Sequence, residues 1–184
     1  MNHDDTVTPI DIITFWREAG LARWYTRDEA FDAEIRRRYL PTWEAALAGE
    51  RDRWQDSDDG ALALLIVLDQ FSRNMFRGDP RAFAADAKAR EVADRAIARG
   101  VDQRIDGVMR QFIYLPFEHS EDIADQQRSV ALFKALGDAE NLRYAELHED
   151  IIRRFGRFPH RNPVLGRATT EAEQAFLSAG GFAG

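Results

Sequence analysis

Apolar residues recur at helical spacing in almost every segment of this chain, and this periodicity constrains the fold more than any other feature. Near the start, Ile12, Phe15, Trp16 and Ala19 lie three or four residues apart and therefore share one face of a helix. No segment alternates apolar and polar residues as a half-buried strand would. We therefore predict an all-α fold.

Capping residues and helix breakers divide the chain into about eight predicted helices joined by short loops. Thr8 followed by Pro9 predicts the start of the first helix. Thr170 with Glu173 predicts a capping box at the start of the last one. Ser120 is expected to cap another helix, because serine is a favoured N-cap residue and acidic residues follow it.

Further expectations concern the organisation of the chain. Pro41 should break or kink the second long helix, and residues 50–60 should form a polar surface loop. The helix predicted from residue 61 to about residue 75 is apolar nearly all round in its first two turns, which favours a central position in a helical bundle. We expect a single helical domain over residues 1–184, with the helices in antiparallel pairs and residues 1–7 frayed.

Composition narrows the functional classes. The formal net charge is −7, which argues against nucleic acid as the partner, because phosphate binding needs a basic face. There is no cysteine, the N-terminal residues do not resemble a signal peptide, and the longest apolar run is far too short to span a bilayer. We therefore expect a cytoplasmic protein without a membrane segment. No phosphate-binding loop, dinucleotide fingerprint or serine-nucleophile motif occurs, so we predict no cofactor and recognise no catalytic motif.

The first of three polar stretches follows the most apolar helix. Asp69 and Arg73 lie four residues apart and share a helix face, and Asn74 follows directly. Polar groups on a helix that is buried in its first half need partners. The three residues therefore form either a structural ion pair with an amide that fixes the next loop, or the wall of a polar pocket.

The second stretch, LPFEHSEDIADQ, holds Glu118, His119, Asp122 and Asp125 without any basic residue. Carboxylates with one imidazole suit a divalent metal such as manganese or iron, so these four residues are the candidate ligands if a metal binds. Acidic residues at a helix N-terminus also need no metal to explain them, because they interact favourably with the helix dipole. The sequence therefore gives no firm prediction of a metal site.

The third stretch begins at His148, which falls on the apolar side of its helix, where a histidine is more often a satisfied core residue than a ligand. Residues 151–167 contain five arginines and no acid, and Arg157, His160 and Arg161 lie in a loop rich in glycine and proline. Arginines in such a loop bind carboxylate or phosphate groups through paired hydrogen bonds. The same arginines are equally suited to pairing with the acidic second stretch.

Together the three stretches resemble an uncharacterised bacterial family catalogued as "domain of unknown function 924". The matching strings are LALLIVLDQFSRNMFRG (62–78), LPFEHSEDIADQ (115–126) and HEDIIRRFGRFPHRN (148–162). Ser72 departs from the proline that we expect in the family's "DQFPRN" string. The resemblance implies an all-helical fold similar to tetratricopeptide-repeat proteins, arranged as a right-handed superhelix or bundle, and it implies no activity.

Three functional hypotheses follow. The leading one is a helical binding domain whose groove gathers the polar residues around a small anionic or polar ligand. The candidate ligand-binding residues are Asp69, Arg73, Asn74, Glu118, His119, Asp122, His148, Arg157, His160 and Arg161. The second is a peptide-binding or protein-binding scaffold, with Trp24 and Tyr25 among the candidate contacts. The third is a metal-assisted hydrolase or oxygen-handling enzyme that uses Glu118, His119 and Asp122. Surface alanines permit a homodimer without arguing for one.

Overall fold

The computed structural model describes residues 7–182, and within that range the chain is helical with no β-strand. The α-helices are α1 (Pro9–Ala19), α2 (Leu21–Trp24), α3 (Glu29–Leu47), α4 (Asp58–Leu65), α5 (Ser72–Met75), α6 (Asp86–Ala98), α7 (Gly107–Glu118), α8 (Ile123–Leu136), α9 (Ala139–Phe155) and α10 (Glu171–Ser178). A π-helical segment covers Ile66–Phe71, and short 3₁₀ turns cover Asp52–Asp56, Pro80–Phe83 and Pro159–Arg161. The predicted all-α class is confirmed.

The described chain forms two compact units. The first contains the described residues up to Arg77 together with Arg81–Pro116, and the second contains Gly78–Pro80 and the described residues from Phe117 onward. Within residues 7–182, no helix is both long enough and apolar enough to cross a bilayer.

The first unit is built around a continuous buried helix that runs through α4, the π-helical segment and α5. Every residue from Gly60 to Phe71 is buried, as the nearly uninterrupted apolar sequence predicts. The hydrogen bonds of a π turn reach one residue further than those of an α-helix, so the segment locally rotates the side chains that follow. Asp69 and Gln70 lie inside this turn.

An aromatic cluster fills the core of the first unit. Trp16 of α1 is fully buried and contacts Trp24, Phe31, Phe71 and Phe112, with ring centroids 5.6 to 6.1 Å apart. The rings meet both stacked and edge to face, which are the two geometries that aromatic pairs prefer. Side chains from five separate helical segments meet in this cluster, which therefore joins them into one core.

The second unit is based on α8 and α9, which pack along each other. Gly137 ends α8 in the left-handed conformation, which glycine adopts without steric cost, and Asp138 caps α9 by accepting hydrogen bonds from two backbone N–H groups. Ile151, Ile152 and Phe158 form the apolar core of this unit.

Several predicted boundaries are confirmed and others need correction. Thr8 and Thr170 both cap helices as predicted, and the capping box predicted for Thr170 is complete. Thr8 also forms a capping box, with Asp11. Ser120 is not the N-cap of α8, because α7 continues to Glu118 and leaves the cap to Asp122, whose carboxylate accepts from the Ala124 backbone N–H.

Two interruptions of the helices also differ from expectation. Helix α3 continues through Pro41 without a break. Residues 50–60 are not only a surface loop, since they contain a 3₁₀ turn, the buried side chain of Gln55 and the start of α4. The Ser57 side chain caps α4, so this helix begins at Asp58, three residues before the predicted start at Ala61.

Candidate functional site

The predicted site residues fall into both units, and those of the first unit form a structural network. Arg73 lies 2.9 Å from the buried carboxylate of Asp69 and makes a bidentate contact with Asp86 at 3.0 and 3.1 Å. Burial alone would lower the pKa of Arg73, but these two carboxylates raise it. Asn74 donates to Asp32 at 2.6 Å, which fixes the end of α5 against α3.

In the second unit, most acids of the LPFEHSEDIADQ stretch have structural partners within that unit. Asp122 caps α8, and Asp125 accepts from the Ser120 hydroxyl at 2.6 Å. Glu121 binds Arg167 through both carboxylate oxygens and also accepts from the Phe158 backbone N–H. Across residues 7–182, the structure brings no group of three or more His, Cys, Asp or Glu side chains into an arrangement that could hold a metal ion.

The remaining acid of this stretch, Glu118, lies beside His148. The shortest distance between them, from Glu118 Oε1 to His148 Nδ1, is 3.4 Å, and both residues are almost fully buried. His148 Nδ1 also lies 2.7 Å from the Tyr144 backbone carbonyl. A carbonyl oxygen only accepts, so Nδ1 must carry the proton, and the neutral ring then keeps its lone pair on Nε2.

The electrostatics of the cluster keep His148 in its neutral form. Burial lowers the pKa of His148 from 6.5 to about 3, and the hydrogen bond to Tyr144 offsets this only in part. Electrostatic interactions with His119, Arg161 and His160 lower the pKa of His148 further. Four other predicted site residues therefore interact with His148. Glu118 contacts it, and His119, Arg161 and His160 lower its pKa.

Aromatic rings form one side of this cluster. The His148 ring lies 5.3 Å from Phe158 and 4.5 Å from Phe182, both measured between centroids. His160 contacts the same two phenylalanines. The guanidinium carbon of Arg161 lies 4.4 Å from the centre of the Phe158 ring, so this largely buried arginine stacks on an aromatic face.

Arg157, another predicted site residue, is held by a different partner. Its guanidinium binds both oxygens of Glu173 at 2.6 and 2.8 Å. Glu173 also accepts from Asn162 and from the Thr170 backbone N–H. This carboxylate therefore ties the loop after α9 to the start of α10, and so fixes the backbone on either side of His160.

Sequence reasoning missed two polar residues in the interior of the second unit. Gln126 and Ser129 of α8 are fully buried. The Gln126 amide nitrogen donates to the backbone carbonyls of Glu118 and Ser120, both at 2.6 Å. Its oxygen, and the Ser129 hydroxyl, have no hydrogen-bond partner among the described residues. The only available signal was their polarity at inward positions of α8.

The fold and the site define a helical protein with a buried glutamate–histidine contact in its second unit. The chain belongs to the bacterial family of unknown function DUF924, whose sequence model matches residues 12–181. It is similar to a solved structure of a protein of unknown function, ATU0120, from Agrobacterium tumefaciens. The two share 46% sequence identity over 93% of this chain and 97% of that one, with a TM-score of 0.90. A search of curated proteins finds no match.

Proposed function

We propose that this protein binds a small anionic or polar ligand in the second unit, beside the Glu118–His148 contact. The observation that supports the proposal most is the contact itself, in which a carboxylate and a neutral imidazole lie 3.4 Å apart in the interior. Burying such groups costs free energy, and ionisable groups with strongly perturbed pKa values cluster at functional sites.

The side chains around this contact suit an anionic group. Arg161 is 7% exposed, and its guanidinium lies over the Phe158 ring, so burial and this contact restrict its movement. A fixed guanidinium binds a carboxylate or phosphate through two parallel hydrogen bonds, which gives orientation as well as affinity. His119 and His160 add basic side chains to the same cluster.

A thermal-shift screen tests the proposal with small carboxylates, phosphates, nucleotides and divalent metal ions as probes. A ligand at 100 times its dissociation constant stabilises the folded state by about 2.7 kcal/mol. For a chain of this size we expect the melting temperature to rise by roughly 5–10 °C.

The decisive variant is His148→Asn. The asparagine amide reproduces the Nδ1 position and keeps a donor for the Tyr144 carbonyl, but it removes Nε2. We expect this change to abolish the ligand-induced shift, and we expect Arg154→Gln, at an exposed position of the same helix, to retain it. A panel without any shift, or a full shift in His148→Asn, would refute the proposal.

A second candidate function is a protein-binding surface on the first unit. Leu21, Tyr25 and Val108 are 67%, 56% and 58% exposed, which is unusual for apolar side chains of this size. The Tyr25 hydroxyl binds Gln111, whose amide donates to the Val108 carbonyl, so Tyr25 lies beside the first turns of α7. If copies of the chain associate here, Leu21→Glu should convert a dimer to a monomer in sedimentation velocity, and an unchanged coefficient would exclude self-association through this surface.

A further inference from the structure

The first unit contains a cleft whose polar side chains have no part in the proposed site. Two cavities, of about 340 and 350 Å³, lie between the 3₁₀ turn Asp52–Asp56 and helix α6. Both are lined by Asp52, Gln55 and Arg95, so we describe them together as the α6 cleft. Their volumes are at the lower end of the range that is typical of small-molecule sites.

Gln55 supplies hydrogen-bond donors to this cleft from a nearly buried position. The residue is 9% exposed, and its Oε1 lies 3.4 Å from a guanidinium nitrogen of Arg95. Because a guanidinium only donates hydrogen bonds, the side-chain oxygen must face Arg95 and the amide nitrogen must face away. This nitrogen has no acceptor among residues 7–182, and protein atoms do not enclose it completely. The open space beside Gln55 is the α6 cleft, so its two N–H groups are available to a ligand there.

Arg95 and Lys88 of α6 bring positive charge to the same cleft. The Arg95 guanidinium lies 3.4 Å from Gln55 Oε1 and 3.8 Å from Glu91, and both distances exceed the usual N–H···O range of about 2.7–3.2 Å. Lys88 Nζ lies 2.8 Å from Asp52, and this contact uses one of the three donors of the ammonium group. Both cations can therefore donate to a further acceptor in the cleft.

The rest of the lining limits the charge and the shape of a ligand. Asp52 and Glu91 line the cleft beside the two cations, so they repel any additional negative charge on a bound molecule. Leu47 and Val92 give the same cavity an apolar part. A molecule with a single negative charge and a short apolar body suits this lining better than a multiply charged anion.

We infer that the α6 cleft binds a small monocarboxylate. Its carboxylate group accepts hydrogen bonds from Arg95 and from the Gln55 amide, and its apolar chain packs against Leu47 and Val92. A guanidinium binds a carboxylate through paired hydrogen bonds, and the amide of a nearly buried side chain adds a further donor. The cleft lies entirely in the first unit, so this inference is independent of the function proposed for the second unit.

An NMR titration of the ¹⁵N-labelled protein tests the inference, because it measures weak binding and also locates it. The probes are acetate, butyrate and hexanoate, with inorganic phosphate as a more highly charged comparison. We expect chemical-shift changes in the side-chain amide of Gln55 and in the backbone of residues 52–56 and 84–95. The dissociation constant should fall by about fourfold for each CH₂ group that enters the cleft, and phosphate should bind more weakly than butyrate.

Two variants connect this binding to the predicted donors. Arg95→Gln should raise the dissociation constant for butyrate by about tenfold or more and leave the urea midpoint unchanged, because the side chain is 62% exposed and its contacts are long. Gln55→Glu keeps the shape of the side chain and the oxygen that faces Arg95, but it replaces the N–H groups with negative charge, so it should weaken binding at least as much. Arg17→Gln is the matched control, because Arg17 is 55% exposed in the same unit and does not line the cleft.

Three results would overturn the inference. The first is a titration in which no monocarboxylate changes the signals of residues 52–56 and 84–95, and the second is unchanged butyrate binding in Arg95→Gln and Gln55→Glu. The third is tighter binding of phosphate than of butyrate, which would contradict the inferred class of ligand. His148→Asn separates this site from the proposed function, because it changes the second unit and should leave butyrate binding in the α6 cleft unaffected.

Discussion

Replacing Glu173 with glutamine tests whether the loop that carries His160 and Arg161 depends on one buried carboxylate. Glu173 is 3% exposed in its side chain and accepts hydrogen bonds from Arg157 at 2.6 and 2.8 Å. Asn162 and the Thr170 backbone N–H donate to the same carboxylate at 3.1 and 2.8 Å. The substitution Glu173→Gln keeps the shape of the side chain and removes its charge.

The expected loss of folding stability in Glu173→Gln follows from the pKa of the Glu173 carboxyl group. The hydrogen bonds from Arg157 are the main reason that the pKa of Glu173 falls from 4.5 to about 2. At 1.36 kcal/mol for each pKa unit, this difference corresponds to about 3 kcal/mol. Arg157 is 27% exposed, so solvent screens the pair, and we expect a loss of about 2 kcal/mol in the variant at neutral pH.

The stabilisation by Glu173 decreases as the pH falls. A carboxyl group with a depressed pKa in the folded state stabilises the fold above its unfolded pKa, here 4.5, and this stabilisation disappears as the pH falls toward 2. Roughly half of it should be lost by about pH 3. The difference in stability between wild type and Glu173→Gln should therefore be largest near neutrality and should shrink on acidification.

The assay is equilibrium urea unfolding followed by far-UV circular dichroism, at neutral pH and at about pH 3. Glu140→Gln is the matched control, because Glu140 pairs with Arg143 on the surface, where an ion pair contributes little. Equal stability of wild type and Glu173→Gln at neutral pH would refute the reasoning. A constant difference at both pH values would show that the charge of Glu173 is not what stabilises the loop.

Three further predictions test the fold and the site. Gly60→Ala should destabilise the protein by about 3 kcal/mol in urea unfolding, because the new Cβ would lie 1.8 Å from a carbonyl oxygen of the preceding 3₁₀ turn. Gly107→Ala, where the Cβ meets no atom within 4 Å, should be neutral or slightly stabilising. Asp86→Asn should lower the free energy of unfolding by about 2 kcal/mol, because it weakens the bidentate contact with Arg73. The melting temperature of this variant should fall accordingly. In NMR titrations the His148 ring should stay neutral at pH 5, whereas a midpoint near 6.5 would contradict its burial beside other basic side chains.

The helical architecture was predictable because its determinants are local. A capping box such as Thr170 with Glu173 needs only four consecutive residues, and the periodicity of an apolar face needs about four turns. The cap of α8 was placed wrongly at Ser120 because serine and aspartate are both good caps. The choice between Ser120 and Asp122 depends on where α7 ends, and that is decided by packing.

Partners that are distant in sequence were not predictable in the same way. The contact between Asp69 and Arg73 follows from helix geometry, but the second carboxylate on Arg73 comes from Asp86 in another helix. Arg157 was a reasonable anion-binding candidate from its loop alone. Its partner is Glu173, a residue that sequence reasoning had already assigned to a capping box, and a single carboxylate performs both roles.

What separates the candidate site from this structural network is how completely each polar group is paired. Asp122, Glu121 and Glu173 each accept from backbone or arginine donors that a helical fold must satisfy, so their polarity needs no ligand to explain it. Gln126 and Ser129 are different, because each is fully buried yet presents an oxygen without a donor from the described chain. An apolar residue of similar size would avoid that cost at Ser129, whereas Gln126 also donates to two backbone carbonyls. The unpaired hydroxyl of Ser129 is therefore the polarity that the described fold explains least.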